Sequence, residues 1–373
     1  MADYCFEDSS NNTSTVQQQD SLGNCSVDGS SLRVLLAVFY SLFFLLGLAG
    51  NVLALWVFIR LQSKMNSVRI FLINLAVADL LLMICLPFRI AYHANKNCWV
   101  LKPIICTLVG NIFYMNMYIS IFLLGLISID RYLKLQRISR RQKFLGSRQS
   151  MITCCLIWAL AIAGIVPLIA LSYNNNNNNN NTPANKCFQY KHLKSSKWKG
   201  YFNLFIVVLF WLVYVALVLS YGKIATGLLR VSREKPDLPN AARYGRTARK
   251  SFFVLFLFTL CFVPYHCVRI FYIHSQLTDV SCQWRDVLDK ANEIALLLSA
   301  FNSCLDPVMY FVLCGSVRRV VLQVLCKFLC PKASGSTSSS SNDTRRDQVD
   351  HLSESEISTL RRKIATHINP LET

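Results

Sequence analysis

Residues 1–31 contain no lysine or arginine, and acidic residues are few throughout: 20 Asp and Glu stand against 39 Lys and Arg. Charged residues make up 16% of the chain and hydrophobic ones 53%, so the formal charge of +19 sits on a polypeptide with little else that is polar. Histidine is scarce as well. Of six histidines only His93, His266 and His274 fall in or near apolar runs, none in an i, i+4 pair. That argues against an intramembrane zinc lipid hydrolase, whose metal needs about three protein ligands. No internal or inverted repeat is visible, which argues against a transporter. The N-terminus lacks the basic start, apolar core and small-residue cleavage site of a signal peptide. No cleaved leader is therefore expected, and the first apolar run should direct membrane insertion.

What the chain does have is apolar length. A transmembrane helix needs about 20 mostly apolar residues, and seven runs qualify or come close: 34–59, 70–93, 103–129, 151–173, 201–222, 252–273 and 291–313. Buried helices of soluble proteins usually alternate polar and apolar faces, so the expected fold is an all-α membrane protein with seven transmembrane helices. Basic residues set the orientation. They cluster after the first run (Arg60, Lys64, Arg69), the third (Lys134, Arg137, Arg140, Arg141, Lys143, Arg148) and the fifth (Arg230, Arg233, Lys235, Arg243, Arg246, Arg249, Lys250). These segments should be cytoplasmic, which puts the N-terminus outside. The outer loop after the fourth run departs from the rule, with Lys186, Lys191, Lys194, Lys197 and Lys199. Such a loop can attract an anionic ligand or contact anionic sugars and headgroups.

The expected organisation is an outer glycosylated segment 1–31, a bundle 32–315, an amphipathic membrane-surface helix 316–330 and a disordered cytoplasmic tail 331–373. In the short helix Val317, Val321, Val324, Leu325 and Phe328 share one face, with Arg318, Arg319, Gln323 and Lys327 opposite. Cys326 and Cys330 beside it are candidates for S-palmitoylation. The serine-rich tail offers phosphorylation sites or is simply solvated. Asn11, Asn12, Asn24 and Asn180 lie in glycosylation sequons. The asparagine run 174–181 reads as a disordered loop insertion.

Six of the 15 cysteines should face the oxidising side: Cys5, Cys25, Cys98, Cys106, Cys187 and Cys282. A Cys106–Cys187 bridge would pin the loop over the bundle mouth. Closure of the bundle would bring Cys25 near Cys282, leaving Cys5 and Cys98 either paired or free; spacing alone permits other pairings.

Ionisable groups inside membrane spans point to function. Asp79 interrupts the second run and Asp306 the seventh. With Ser120, Asn302 and Ser303 they could surround a sodium ion with oxygen ligands, or form a hydrogen-bonded polar core without one. Pro87, Pro167, Pro264 and Pro307 each remove a helix hydrogen bond and permit a kink. At the inner end of the third run Asp130 adjoins Arg131 and Tyr132.

The order and spacing of Asn51 in "GLAGNVLAL", Asp79 in "NLAVADLL", "DRY" at 130–132, Trp158, "CFVP" at 261–264 and "DPVMY" at 306–310 resemble the rhodopsin-like G-protein-coupled receptors over residues 30–328. Phe262 stands where most members have tryptophan, and Asp306 where most have asparagine; both are usual in the purinergic-receptor cluster. The resemblance implies that Asp130, Arg131, Tyr132 and Tyr310 serve G-protein coupling. It also implies a heterotrimeric G protein of the inhibitory class (Gi) as partner, with receptor kinases and arrestin acting on the tail.

On the sixth helix, residues three, four and seven apart share a face, which aligns Phe262, Tyr265, His266 and Arg269, with Tyr272 a turn further. Arg89 lies ten residues beyond Asp79, about 15 Å along a helix. Lys290 and Glu293 open the seventh run at similar depth. These long side chains either snorkel to the headgroups or line a pocket. The hydrogen-bonding neighbours of Arg269 favour a pocket, and arginine's planar fork suits phosphate and carboxylate. A carboxylate among these bases either neutralises its neighbours or receives a ligand cation, such as the amine of a zwitterionic phosphate ester.

"CLPFRIAYH", "FYMNMYISIFLLG", "CFVPYH" and "NEIALLLSAFNSCLDPVMYF" resemble the lysophosphatidylserine-receptor branch of that cluster. The likeness to the purinergic cluster puts His266, Arg269 and Tyr272 at anion-binding positions. By the resemblance to this branch Arg89 and Arg269 would hold phosphate or serine carboxylate, Tyr114 would assist, and Asn292 and Glu293 would receive the amine. The acyl tail would lie past Phe205 and Leu209. Partners would then be a lysophospholipid and membrane lipids, with no nucleic acid, no enzyme activity and no required cofactor beyond sodium as a modulator. The alternative in the same fold is a nucleotide ligand.

Overall fold

The computed structural model describes residues 32–60, 66–136, 146–178, 187–188, 190, 193, 197–234, 241–313 and 317–323. Seven helices follow one another: α1 (Arg33–Arg60), α2 (Ser67–Ala94), α3 (Pro103–Gln136), α4 (Ser147–Asn178), α5 (Lys197–Glu234), α6 (Ala241–Leu277) and α7 (Cys282–Leu313). Residues 317–323 form a short eighth helix, α8. All seven are long and apolar enough to cross a membrane, and each contains one of the seven apolar runs. These helices belong to one compact unit, Met1–Leu322; of the second, Gln323–Thr373, only Gln323 is described.

Several helices outrun their apolar stretches. α6 begins at Ala241 and α7 at Cys282, both in charged sequence. Hydropathy marks the thickness of the bilayer, whereas a helix once nucleated extends at little cost through good helix formers such as Ala, Arg and Lys. The expectation of a disordered asparagine run is corrected for its first five residues, because α4 continues to Asn178; residues 179–181 lie outside the described residues.

Burial is inverted relative to a water-soluble protein. Large apolar side chains such as Leu160, Leu212 and Leu45 stand exposed on the outside, while Asn51, Asp79, Ser120, Asn302, Ser303 and Asp306 are buried. Lipid accepts the apolar exterior, and polar groups gather where they can bond to one another. α3 runs through the middle, packed against α2, α4, α5 and α6.

Specific polar bonds and close approaches fix the packing. Asn66 caps α2 by accepting from the Arg69 backbone N–H at 2.9 Å. Trp158 Nε1 donates to Asn74 Oδ1 at 3.0 Å, joining α4 to α2. Asn51 Nδ2 donates to the carbonyls of Gly47 and Ser303, each at 2.9 Å, tying α1 to α7. Beside that tie a Cβ on Gly50 would lie 2.6 Å from Pro307 Cγ, so only glycine permits this approach of α1 to the proline of α7. Between α5 and α6, Phe210 and Phe258 stack at 6.0 Å and 2°, a contact of about 0.5–1.5 kcal/mol beyond area burial.

Candidate ligand pocket

Cys106 at the start of α3 is joined to Cys187 of the loop between α4 and α5. Cys98 and Cys282 are also disulfide-bonded; the expected partners Cys5 and Cys25 lie outside the described residues. The 106–187 bridge holds Phe188 at φ 56°, a left-handed conformation that costs a non-glycine residue about 1–3 kcal/mol. Packing sustains it. The Phe188 ring meets Tyr92 and Trp99 edge-on at 5.4 and 5.8 Å and lies 4.6 Å from the Arg89 guanidinium.

Arg89, only 3% exposed, is thereby caged. Phe113 lies 4.4 Å from its guanidinium, and Nη1 donates to Tyr40 Oη at 2.8 Å. Its Nε is buried without a hydrogen-bond partner. On α6 the Arg269 guanidinium lies 5.0 Å from the Tyr272 ring and 5.9 Å from Tyr114 and Tyr265. Its Nη1 donates to Asn292 Oδ1 at 3.4 Å. Glu293, one residue on, is within Coulombic reach of Arg89, yet its Oε2 is buried without a hydrogen-bond partner. The helices thus bring together Arg89, Tyr114, Arg269, Tyr272, Asn292 and Glu293 around two cations and a carboxylate.

Two expectations need correction. Lys290 does not join the arginines; its Nζ pairs with Asp286 Oδ2 at 2.7 Å, both side chains about a third exposed, because the partner at i−4 is local and solvated. His266 is fully buried and stacked on Phe210 at 3.5 Å, with Tyr118 edge-on at 6.0 Å. Its Nδ1 bonds the Phe262 carbonyl at 2.8 Å. A carbonyl only accepts, so Nδ1 carries a proton, and in the neutral imidazole the unpartnered Nε2 is an acceptor. In this arrangement His266 offers a lone pair to a donor, not a proton to an anion.

The structure adds residues the sequence did not single out. Tyr40 and Phe113 belong to the Arg89 cage; nothing in their apolar surroundings marks them. Phe188 could have been found as the neighbour of a bridged cysteine. Asp289 accepts from Tyr272 Oη at 3.3 Å and lies one turn from Glu293, a spacing that places both carboxylates on one face.

The sequence pattern of the 7 transmembrane receptors of the rhodopsin family matches residues 50–310. The chain belongs to that family. It is 46% identical over 317 residues to the mouse "Probable G-protein coupled receptor 34", covering 85% of this chain and 84% of the relative. It is 30% identical over 328 residues to purinoceptor 14 of Bos taurus, covering 88% and 95%. To the human "Uracil nucleotide/cysteinyl leukotriene receptor" it is 33% identical over 303 residues, covering 81% and 79%. This is therefore a multi-pass plasma-membrane receptor that takes a small-molecule ligand and couples to a G protein; it is not an enzyme. Among the described residues no group of three or more His, Cys, Asp or Glu converges to hold a metal.

Deeper in the receptor, Asp79 Oδ1 accepts from Ser303 Oγ at 2.7 Å and from Asn116 Nδ2 at 3.2 Å. Asp306 Oδ2 accepts from Asn302 Nδ2 at 2.8 Å, and the two carboxylates lie within reach of each other. Ser120 Oγ is buried there without a hydrogen-bond partner. Paired carboxylates with an orphan hydroxyl fit an oxygen-liganded cation; Asn116 is the member the sequence did not suggest.

At the opposite end from the bridge, Asp130 is 3% exposed and Tyr310 is fully buried, edge-on to Phe58 at 5.5 Å. Tyr221 and Ser128 share a hydrogen bond between α5 and α3. The side chains of Arg131 and Tyr132 lie outside the described residues, as do Cys326, Cys330, Asn11, Asn12, Asn24 and Asn180.

Proposed function

We propose that this receptor recognises lysophosphatidylserine at the outer side of the membrane and signals through Gi. The observation that carries the reading is Glu293 Oε2, buried without a hydrogen-bond partner, next in the chain to the buried Asn292 and within Coulombic reach of Arg89. A buried carboxylate oxygen without a donor is costly, and a ligand amine would supply that donor. Arg89 and Arg269 then take the phosphate and the serine carboxylate, while the acyl tail reaches apolar surface beyond the polar cavity, each buried methylene contributing about 0.8 kcal/mol.

The basic segments after α1, α3 and α5 support an orientation with the N-terminus outside. Agonist binds the active bundle more tightly than the resting one, and that difference alone shifts the population. Contraction around the anion draws α6 and α7 together on the outer side and swings α6 open inside, about Pro264, which admits the G protein to the end of α3 that carries Asp130, Arg131 and Tyr132. A sodium ion among Asp79, Ser120, Asn302, Ser303 and Asp306 holds the resting bundle. The tail takes up kinases and arrestin, Cys326 and Cys330 carry palmitate, and the outer sequons carry glycans.

A nucleotide is the second reading. Tyr114, Tyr265 and Tyr272 around Arg269 would suit a base and its phosphates, and two relatives are named for purines and uracil nucleotides. A polyanion has no use for Glu293.

The test is Gi activation in transfected cells by lysophosphatidylserine, lysophosphatidic acid, ADP and UDP-glucose. Lysophosphatidylserine should be the strongest agonist, and Arg269→Ala should lose about 30-fold or more in potency, the cost of about 2–5 kcal/mol expected for a buried charge partner. A response to nucleotides alone would overturn the lipid assignment.

A further inference from the structure

Above this pocket, the first turns of α7 carry a second caged arginine. Arg285 is 8% exposed, and its guanidinium lies 5.4 Å from the ring of Tyr190, in the loop between α4 and α5. Its Nε is buried without a hydrogen-bond partner. Asp289, one turn along the same face and about 6 Å further by helix rise, is engaged by the Tyr272 hydroxyl at 3.3 Å instead.

The rings connect the two arginines. Tyr190 meets Tyr272 edge-on at 5.4 Å, and Arg269 lies 5.0 Å from Tyr272 on the inner side. The Tyr190 hydroxyl donates to Ser275 Oγ at 3.1 Å, which in turn donates to the Tyr272 carbonyl at 2.8 Å, tying the first ring to α6, while the bond of the Tyr272 hydroxyl to Asp289 holds the second. The order from the mouth inward is therefore cation, ring, ring, cation. The inner cation has Asn292 as an acceptor. The outer one has a buried donor with none, an arrangement that is costly unless an anion completes it.

We propose that Arg285 is an outer anion-binding station, which captures the phosphate of an incoming ligand before that phosphate passes the two tyrosines to Arg269. The inference rests on the anionic-phospholipid reading above. Its ligand class is a phosphate ester, and its contribution is to association: a cation at the mouth of a low-dielectric cleft raises the encounter rate of an anion and loses that effect as salt rises. Arg269 governs how long the ligand stays; Arg285 governs how often it arrives.

The experiment measures association and dissociation of tritiated lysophosphatidylserine on membranes bearing the full-length receptor, at low and physiological ionic strength. Arg285→Gln is expected to slow association about tenfold at low salt, to flatten its salt dependence and to leave dissociation unchanged. Arg285→Lys keeps the charge and should restore most of the rate, and surface labelling of each variant separates this from misfolding. An unchanged association rate in Arg285→Gln overturns the proposal while leaving the lipid assignment intact. Faster dissociation with normal association also overturns it, because Arg285 would then be a latch for the loop. Absence of specific binding to the unsubstituted receptor overturns the lipid assignment, and this inference with it.

Discussion

Two guanidinium groups in one apolar bundle repel each other and lose their hydration, so their surroundings must compensate. Arg89 is compensated by Tyr40 and two phenylalanine faces, Arg269 by Asn292 and three tyrosines. Among the described residues neither forms an ion pair with Glu293, and under the proposed function that carboxylate is left for a ligand amine. Glu293→Gln keeps the shape and removes the charge. It is expected to lower lysophosphatidylserine potency about tenfold or more, since hydrogen bonds to charged groups contribute about 1.5–3 kcal/mol. Lysophosphatidic acid, which has no amine, should keep its potency; concentration–response curves for both lipids check this. The arginines and Glu293 were legible because helical spacing aligns them with other polar groups. Tyr40 and Phe113 were not, because a single aromatic in an apolar run carries no mark of its partner. Lys290 misled for the opposite reason: its true partner, Asp286, lies on the same helix.

At the scale of elements, hydropathy located all seven spans but not their ends. The charged first turns of α7 and the basic half of α6 are helical without being apolar, and Arg285 and Asp289 lie in the former. Residues in such extensions are where a bundle meets its ligand, so a reading confined to apolar length stops short of the mouth. α6 also carries Pro264 immediately beside the buried Phe262, Tyr265 and His266. Proline removes one helix hydrogen bond and makes that point the softest along the helix. Pro264→Ala should stiffen α6: maximal Gi activation falls, while ligand affinity changes by less than about tenfold, or 1.4 kcal/mol. Saturation binding paired with G-protein activation on the same membranes distinguishes the two effects.

For the whole molecule, the polar core lies between the ligand pocket and the coupling end, with Asp79 on α2, Ser120 on α3 and Asp306 on α7. Any ion held there binds three helices at once and favours the arrangement in which they converge. Asp79→Asn removes one of the two carboxylates and is expected to abolish the dependence of agonist affinity on sodium, measured as agonist competition in sodium and in an organic-cation buffer. In the unsubstituted receptor sodium should lower agonist affinity, about 5- to 150-fold being the usual span of such coupling. The acidic pair was legible from sequence because charges inside spans are rare. Asn116 was not, since asparagine on a central helix has many other uses.

The fit of Gly50 against Pro307 has a consequence for how this sequence can change over generations. Any side chain at position 50 meets the proline ring at once, so a chain that keeps the proline of α7 cannot vary there. If Pro307 were lost first, position 50 would be released; in the reverse order the intermediate would be crowded out. Neighbouring sites of this kind are not additive. The two positions can be inherited together or exchanged in one order, and the joint between α1 and α7 thereby restricts the paths by which a descendant receptor could depart from this one.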